Sequence, residues 1–526
     1  MNRVLCCLLL VGLGSLVGGR VAGQQSAREP GIIARMFTPV TYLKASNPGL
    51  DDKLGFGSAL TGRTLALSRD GNTMAVAAPD ESSAAKGVNG DQKNDSAGGA
   101  GAVYIFTRAA AGKSWAQQAY VKASNTDAYD SFGFTVALSA DGSTLAVGAT
   151  REDGAARGIN GNQADNTAED AGAVYVFARR GNSWLQQAYV KASNADAGDQ
   201  FGWSLTLSDD GNTMAVGAST ESSNAKGING DQADNSAANA GAVYVFTRAG
   251  ATWSQEAYLK GAQTQAGDLF GFCVDLSGDG NTLGVCGYDE DGGSSGINGN
   301  ESDNSKNGSG CAYIFVRDGT TWRQTTYFKQ SNLTHPQDAF GSAIAISGDG
   351  QTLVVDAADE DGLVPGINQE QFTGEQIGDN SNGTLYVFIN TNGVWSQQAY
   401  IKSSNIRVND QFGIRVALSR DGNVLVASSM LQSGGGRGVN ANQQDFSAEE
   451  AGAVYVFTRT GGTWTQRAYL KSPNSDAYDE FGSALGLSGD ANTLAVAAWG
   501  EDGGSAGVGG NQADNSVRGS GAVYVY

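Results

Sequence analysis

The sequence predicts an all-β fold: a seven-bladed β-propeller of four-stranded antiparallel blades, closed by pairing of an N-terminal strand with the last blade. Three observations predict it. A Phe-Gly pair followed by an alternating apolar stretch recurs at Phe56, Phe132, Phe201, Phe270, Phe340, Phe412 and Phe481, and five of the six spacings lie between 69 and 72 residues. A Trp in segments such as "SWAQQAYVKAS" recurs with the same period, at Trp115, Trp184, Trp253, Trp322, Trp395 and Trp464. The sequence stops at Tyr526 directly after "GAVYVY", one strand short of a unit, and "FTPVTYLKAS" at 37–46 supplies a matching strand ahead of the first repeat.

The unit that starts at Phe132 shows the four strands in order. "FGFTVALS" alternates apolar with small or polar residues at period two, the signature of a strand. "ADGS" supplies an Asp-Gly turn, because Gly tolerates the positive φ of a tight hairpin. "TLAVGA" is the second strand, and "GAVYVFARR", rich in β-branched and aromatic residues, is the third. "WLQQAYVKAS" is the fourth. A single sandwich or barrel of about twenty-eight strands is implausible, whereas a propeller stacks small sheets radially and protects their edges. A blade cannot bury two apolar faces alone, so the array has to close. Residues 37–46 are therefore expected to pair with 521–526.

The N-terminus reads as a secretory signal over residues 1–23: Arg3, the apolar run "VLCCLLLVGLGSLVGG", then small residues at Val21–Gly23. Residues 24–36 read as a linker and 37–526 as the propeller. The apolar run is short for a membrane span, and no second long one follows, so an exported chain is expected. A formal net charge of -20, from 34 basic and 54 acidic residues, argues against a nucleic-acid partner.

The Phe-Gly pairs, the Gly-Ala that ends the second strand and "GAVYVF" resemble FG-GAP repeats, the family typified by the N-terminal propeller of integrin α subunits. "FGSAL…MAVAAPDES…GAVYIF" (Phe56 to Phe106) is the nearest single unit. The resemblance covers essentially the whole chain after the leader. It implies that each Phe-Gly opens an innermost strand, and that ligand binding by the propeller supports adhesion. Integrin-like units often carry a DxDxDGxxD calcium loop between strands one and two. The corresponding turns here hold one acid with no spaced set, as at Asp70, Asp141, Asp279 and Asp421, and are read as hairpin turns.

Catalysis finds little support. His335 is the single histidine, set in the atypical loop "NLTHPQD". Paired carboxylates such as Glu152 and Asp153 recur in most units, whereas an active site should stand out as one unrepeated group. Lys44, Lys122, Lys191, Lys260, Lys329, Lys402 and Lys471 occupy one blade position and read as scaffold. Trp203 and Trp499 fall outside the repeated Trp position. Cys273, Cys286 and Cys311 share the fourth unit, and counting from the Asp279-Gly280 turn sets Cys273 opposite Cys286, so a disulfide is expected to compete with three reduced thiols.

One further repeat is "GINGNQADN" (Gly158 to Asn166), which returns as "KGINGDQADN" at Lys226 and in three later variants. It joins strand two to strand three, on the same end as the strand-four connection "SNTDAYDSFG". Acids thus crowd one rim: Asp127, Asp130, Asp165, Asp196, Asp199, Asp234, Asp476, Asp479 and Asp514, with Asp303 beside them. Oxygen-rich, Gly-rich loops suit a hard cation, so weak Ca2+ binding and the ligand site are expected there. The alternative is that Asn and Asp only cap turns. The function expected is a secreted, non-catalytic binding or adhesion module for an extracellular protein or glycan. A glycan-cleaving propeller and a structural surface component are the alternatives.

Overall fold

A computed structural model describes residues 40–57, 63–332, 336–369 and 381–526. The expected leader, the linker, Phe37 and His335 lie outside the described residues. Seven four-stranded antiparallel sheets are present, six built from four consecutive strands each. We number the blades one to seven from the repeat at Phe56. Blade two comprises Phe132–Leu138, Thr144–Ala149, Ala173–Arg180 and Ser183–Val190. Among the described residues no helix is long and apolar enough to cross a membrane.

The Asp-Gly turns form as the sequence predicts. Gly142 sits at φ 65°, a conformation that costs Gly little. The Ser139 hydroxyl donates to Asp141 at 2.6 Å and the Ser143 N–H at 2.9 Å. Burial works to raise the Asp141 pKa, but these donors outweigh it and hold the carboxylate low. The Phe-Gly pair departs from expectation. It produces a register shift between Phe132 and Thr135, with Gly133 at φ 99°. In blades three and six regular pairing starts only at Ser204 and Val416. Phe-Gly therefore marks a bulge at the strand entrance.

The core is distributed between neighbours. Val174, Val176 and Val190 of blade two pack with Phe201, Met214, Tyr244 and Trp253 of blade three, all buried. Each such side chain contributes about 1.5–3 kcal/mol when fully buried. No blade could keep that contribution alone.

Two devices close the ring. In blade seven, Phe481–Leu487, Leu494–Ala498 and Ala522–Val525 are completed by Thr41–Leu43. The register is Thr41 with Val525, Tyr42 with Tyr524 and Leu43 with Val523. The second device is a collar of backbone hydrogen bonds at the end formed by the Asp-Gly turns. Arg69 N–H donates to Ala140 (2.8 Å), Ala140 to Asp209 (2.9 Å), Asp209 to Gly278 (2.9 Å) and Gly278 to Gly348 (2.9 Å). Gly348 donates to Arg420 (2.8 Å), Arg420 to Gly489 (3.1 Å), and Gly489 back to Arg69 (3.0 Å). This circle links all seven blades around the central channel.

Candidate functional site at the loop end

The long loops lie at the end of the channel opposite the collar, and "GINGNQADN" has a structural role there. Asn160, at φ 56°, donates its N–H to Tyr189 O at 2.7 Å and accepts the Tyr189 N–H on Oδ1 at 3.0 Å. Ile159 then forms a β-bridge with Val190, and equivalent bridges occur in all seven blades, from Val88 with Val121 to Leu43 with Val508. Each loop covers the outer edge of its own fourth strand. An open edge invites pairing with another chain, so the motif recurs because every blade has one edge to cover.

The predicted aspartates divide into three sets, two that cap turns and one that links loops. Asp130, Asp199 and Asp479 are buried and accept the N–H of Asp127 at 2.9 Å, Asp196 at 2.9 Å and Asp476 at 2.8 Å. Burial pushes each carboxyl up to about 7. Asp127, Asp196 and Asp476 themselves accept amide donors from Asn166 (2.8 Å), Asn235 (2.7 Å) and Asn515 (3.0 Å). Arg157 also pairs with Asp196 at 3.0 Å. Asp165, Asp234, Asp303 and Asp514 cap turns, accepting from Thr167, Ser236, Ser305 and Ser516. These carboxylates are not brought together: among the described residues no three His, Cys, Asp or Glu side chains converge as a metal-ligand group.

The seven lysines are buried, as a scaffold role requires. Six form ion pairs with a buried glutamate: Lys44 with Glu501, Lys122 with Glu81 and Lys191 with Glu152 at 2.9 Å, Lys260 with Glu221 at 3.0 Å, Lys329 with Glu290 at 2.8 Å, and Lys402 with Glu360. A tyrosine two residues before each lysine donates to the same carboxylate, as Tyr189 does to Glu152 at 2.8 Å. Asn125, from the preceding blade's connection, donates to Glu152 at 3.0 Å, so the cluster also fastens neighbours.

The disulfide expectation fails. Cys273, Cys286 and Cys311 are free thiols. Regular pairing runs from the turn to Val274 with Val285, one step short of Cys273 and Cys286, and the register shifts beyond it towards Phe270 with Gly287. The Cys273 thiol donates instead to Ser342 O of blade five at 2.9 Å. Burial, and then Asp356, push its pKa up to about 12.

What breaks the repeat is aromatic. At the residue after Phe-Gly, blades two, three and four carry Phe134, Trp203 and Phe272, whereas blades five and seven carry Ser342 and Ser483. Phe134 and Trp203 lie 5.1 Å apart, Trp203 and Phe272 5.6 Å, and Phe272 stacks on Tyr288 at 4.5 Å. Phe56 and Trp499 meet edge-on at 5.4 Å with the Lys53 ammonium 4.9 Å from the Phe56 ring. Trp499 also donates to Glu480 at 2.8 Å. Farther out, three successive strand-four connections present Tyr478 (53% exposed), Leu50 (66%) and Tyr129 (68%). Tyr129 and Tyr478 sit at φ 70° and 68°, where the equivalent Gly198 and Gly267 are at 84° and 89°. A bulky residue there costs roughly 1–2 kcal/mol.

Sequence reading missed Tyr129 and Tyr478. The available signal was Tyr standing at a position where two other repeats have Gly. It also missed charge inside the channel: Arg63 pairs with Asp275 at 2.9 Å, and Arg415 is buried near Asp356. Burial pushes Asp356 up to about 8, even though it accepts from Ser342 and Ala343, and pulls Arg415 down to about 10.

Comparison with known proteins places the repeat. None of the curated proteins matches the chain. Among solved structures, the periplasmic gluconolactonase PpgL of Pseudomonas aeruginosa is 13% identical, with 83% of this chain and 97% of that one covered and a TM-score of 0.43. The Cps50 (Swd1) β-propeller domain of Myceliophteria thermophila is 9% identical, with 93% and 99% covered and a TM-score of 0.46. These likenesses are too remote to bear on function. Residues 115–177, 184–246 and 395–457 match the FG-GAP repeat family model, each running from the Trp of one fourth strand to the third strand of the next blade. The chain is thus a seven-bladed β-propeller that carries FG-GAP repeats, three of them matched by the family model.

Proposed function

We propose that the chain is a non-catalytic binding module that works outside the cell and grips an extracellular protein or glycan with its loop end. One observation carries this reading. Among the described residues nine large hydrophobic side chains are exposed, and seven of them lie in the loops of this end: Leu50, Tyr129, Leu363, Val364, Val408, Tyr478 and Val508. Exposed apolar groups concentrated on one face, rimmed by polar residues, are what an interaction surface needs. Two of these side chains are the tyrosines held in the left-handed region, where glycine would relieve the strain. Persistent strain at an exposed position favours a role in recognition over one in stability.

The test separates stability from binding. An array of matrix proteins and glycans, probed with and without calcium, identifies a ligand. The double variant Tyr129→Gly/Tyr478→Gly is then compared with the parent. We expect unchanged or higher thermal stability together with at least tenfold weaker binding. Binding at parental strength in the folded variant would refute this assignment of the site.

A further inference from the structure

The collar end of the channel is built differently from the loop end. Its bore is ringed by one Leu or Ile per blade, such as Leu67, Leu138, Leu207 and Leu418, with the Arg63–Asp275 ion pair also in its wall. The cavity measures about 230 Å³. At ~30 Å³ for a water, and a methylene being of similar size, it accommodates a chain of roughly six to eight carbons.

Inside the ring of turn aspartates, whose carboxylates are held by their own Ser and Asn donors as at Asp70, two basic side chains stand at the opening. Arg69 and Arg420, from blades one and six, meet there. Arg420 reaches across the opening to Asp209 of blade three in an ion pair. Arg69 has no side-chain hydrogen-bond or ion-pair partner among the described residues, so two guanidinium groups share one carboxylate. Burial, and then the neighbouring Arg69 charge, pull the Arg420 pKa down, as expected for like charges held close. Three glycines of the collar leave room for this arrangement. A Cβ at Gly278 would run into the Arg420 guanidinium and Asp209, and one at Gly348 into the Arg420 stem. One at Gly489 would come within 2.7 Å of the Arg69 Cγ.

We propose that the collar end is a binding site for a small amphiphilic carboxylate, its alkyl chain in the leucine-lined bore and its head group on Arg69 and Arg420. In this arrangement Asp209 acts as an internal competitor. It neutralises Arg420 while the site is empty and is displaced by the incoming carboxylate. A purely apolar ligand would leave the spare guanidinium charge unmatched, and a purely ionic one would leave the bore unfilled.

The experiment is titration calorimetry on the full chain with octanoate, below its micellar range. Hexanoate, acetate and octan-1-ol serve as comparison probes. Octanoate should bind, each methylene removed should weaken binding roughly fourfold, and octan-1-ol should bind at least tenfold more weakly. Arg69→Gln and Arg420→Gln should each weaken octanoate about tenfold or more, whereas Asp209→Asn should tighten it several-fold. Arg69 is exposed, so its variant keeps the test decisive if Arg420→Gln does not fold. No heat with octanoate at millimolar concentration overturns the proposal. Binding unaffected by both Arg69→Gln and Asp209→Asn overturns it equally, because the site would then lie elsewhere.

Discussion

Blade six differs from the other six at one buried position. Where they carry Glu81, Glu152, Glu221, Glu290, Glu360 and Glu501, blade six carries Gln432. Lys471 therefore has no carboxylate in hydrogen-bond contact, and Asp479 and Asp410 act on it only at longer range. It donates to Gly452 O and reaches the Gln432 Oε1 only at 3.5 Å. The amide nitrogen of Gln432 is buried with no partner. Burial pulls the Lys471 pKa down to about 7. In the other blades the same lysine is equally buried, but there a carboxylate stands against the burial penalty. The difference shows that the repeated Lys-Glu pair is not essential for the blade to form. It sets the charge state and the stability of a blade whose shape comes from its apolar residues and turns.

The largest effect should come from breaking an intact pair. Glu221→Ala strands the Lys260 ammonium and removes acceptors for Tyr258 (3.1 Å) and Asn194 (2.9 Å). Loss of one partner of a buried pair costs about 3–5 kcal/mol. Gln432→Ala in blade six should cost about 1–2 kcal/mol, because no ion pair exists to break. Urea unfolding of the two variants checks this. Equal losses would mean that charge pairing plays no part in the difference between the blades.

The reverse change comes next. Gln432→Glu should restore the pair, gaining on the order of 1–3 kcal/mol at pH 7. The sign of its pH dependence follows from linkage. Lys471 titrates at about 7 when folded and near the ordinary lysine value of 10.5 when unfolded. Between those values the unfolded state binds more protons, so the parent gains stability as pH rises from 7 towards 10.5. In the Glu variant the folded pKa moves up and that slope shrinks. Melting temperatures of both proteins at pH 7 to 10 read the prediction directly. Parallel curves would show that Lys471 does not titrate in this window.

Much of this fold was legible because a repeat reports itself seven times. The blade period, the Asp-Gly turns and the closing strand follow from residues close in sequence. The scaffold role of the lysines was legible for the same reason. The collar was not, since its hydrogen bonds are made by backbone, which carries no residue signature. Hairpin counting placed Cys273 beside Cys286 but not the contact across blades, where the Cys273 thiol donates to Ser342 O. Arg420 and Asp209 meet across the channel from blades three and six, a contact that no periodicity encodes. For the loops, sequence gave the location of acids but not their orientation. Asp130 looks like a surface ligand in the string "DAYD", whereas the turn folds it inward onto the Asp127 N–H.

That inward turn leads to the smallest effect, on the acid side. Asp52, Asp130, Asp199, Asp268, Asp338, Asp410 and Asp479 occupy one position per blade, and burial raises each to about 7. Their unfolded value is near 3.8, so between 3.8 and 7 the folded state binds more protons. Stability contributed by these groups is fully present below the unfolded value and is lost as pH rises through 7. This window lies below that of Lys471, so the two effects can be read separately. Asp130→Asn keeps an oxygen to accept the Asp127 N–H but cannot titrate. It should leave stability at pH 5 within about 1 kcal/mol of the parent and lessen the loss between pH 5 and 8 by the share of one blade in seven. Calorimetric melting across that range measures it. An unchanged slope in the variant would show that Asp130 is ionised throughout, and that the turn holds it by hydrogen bonding against the cost of burial.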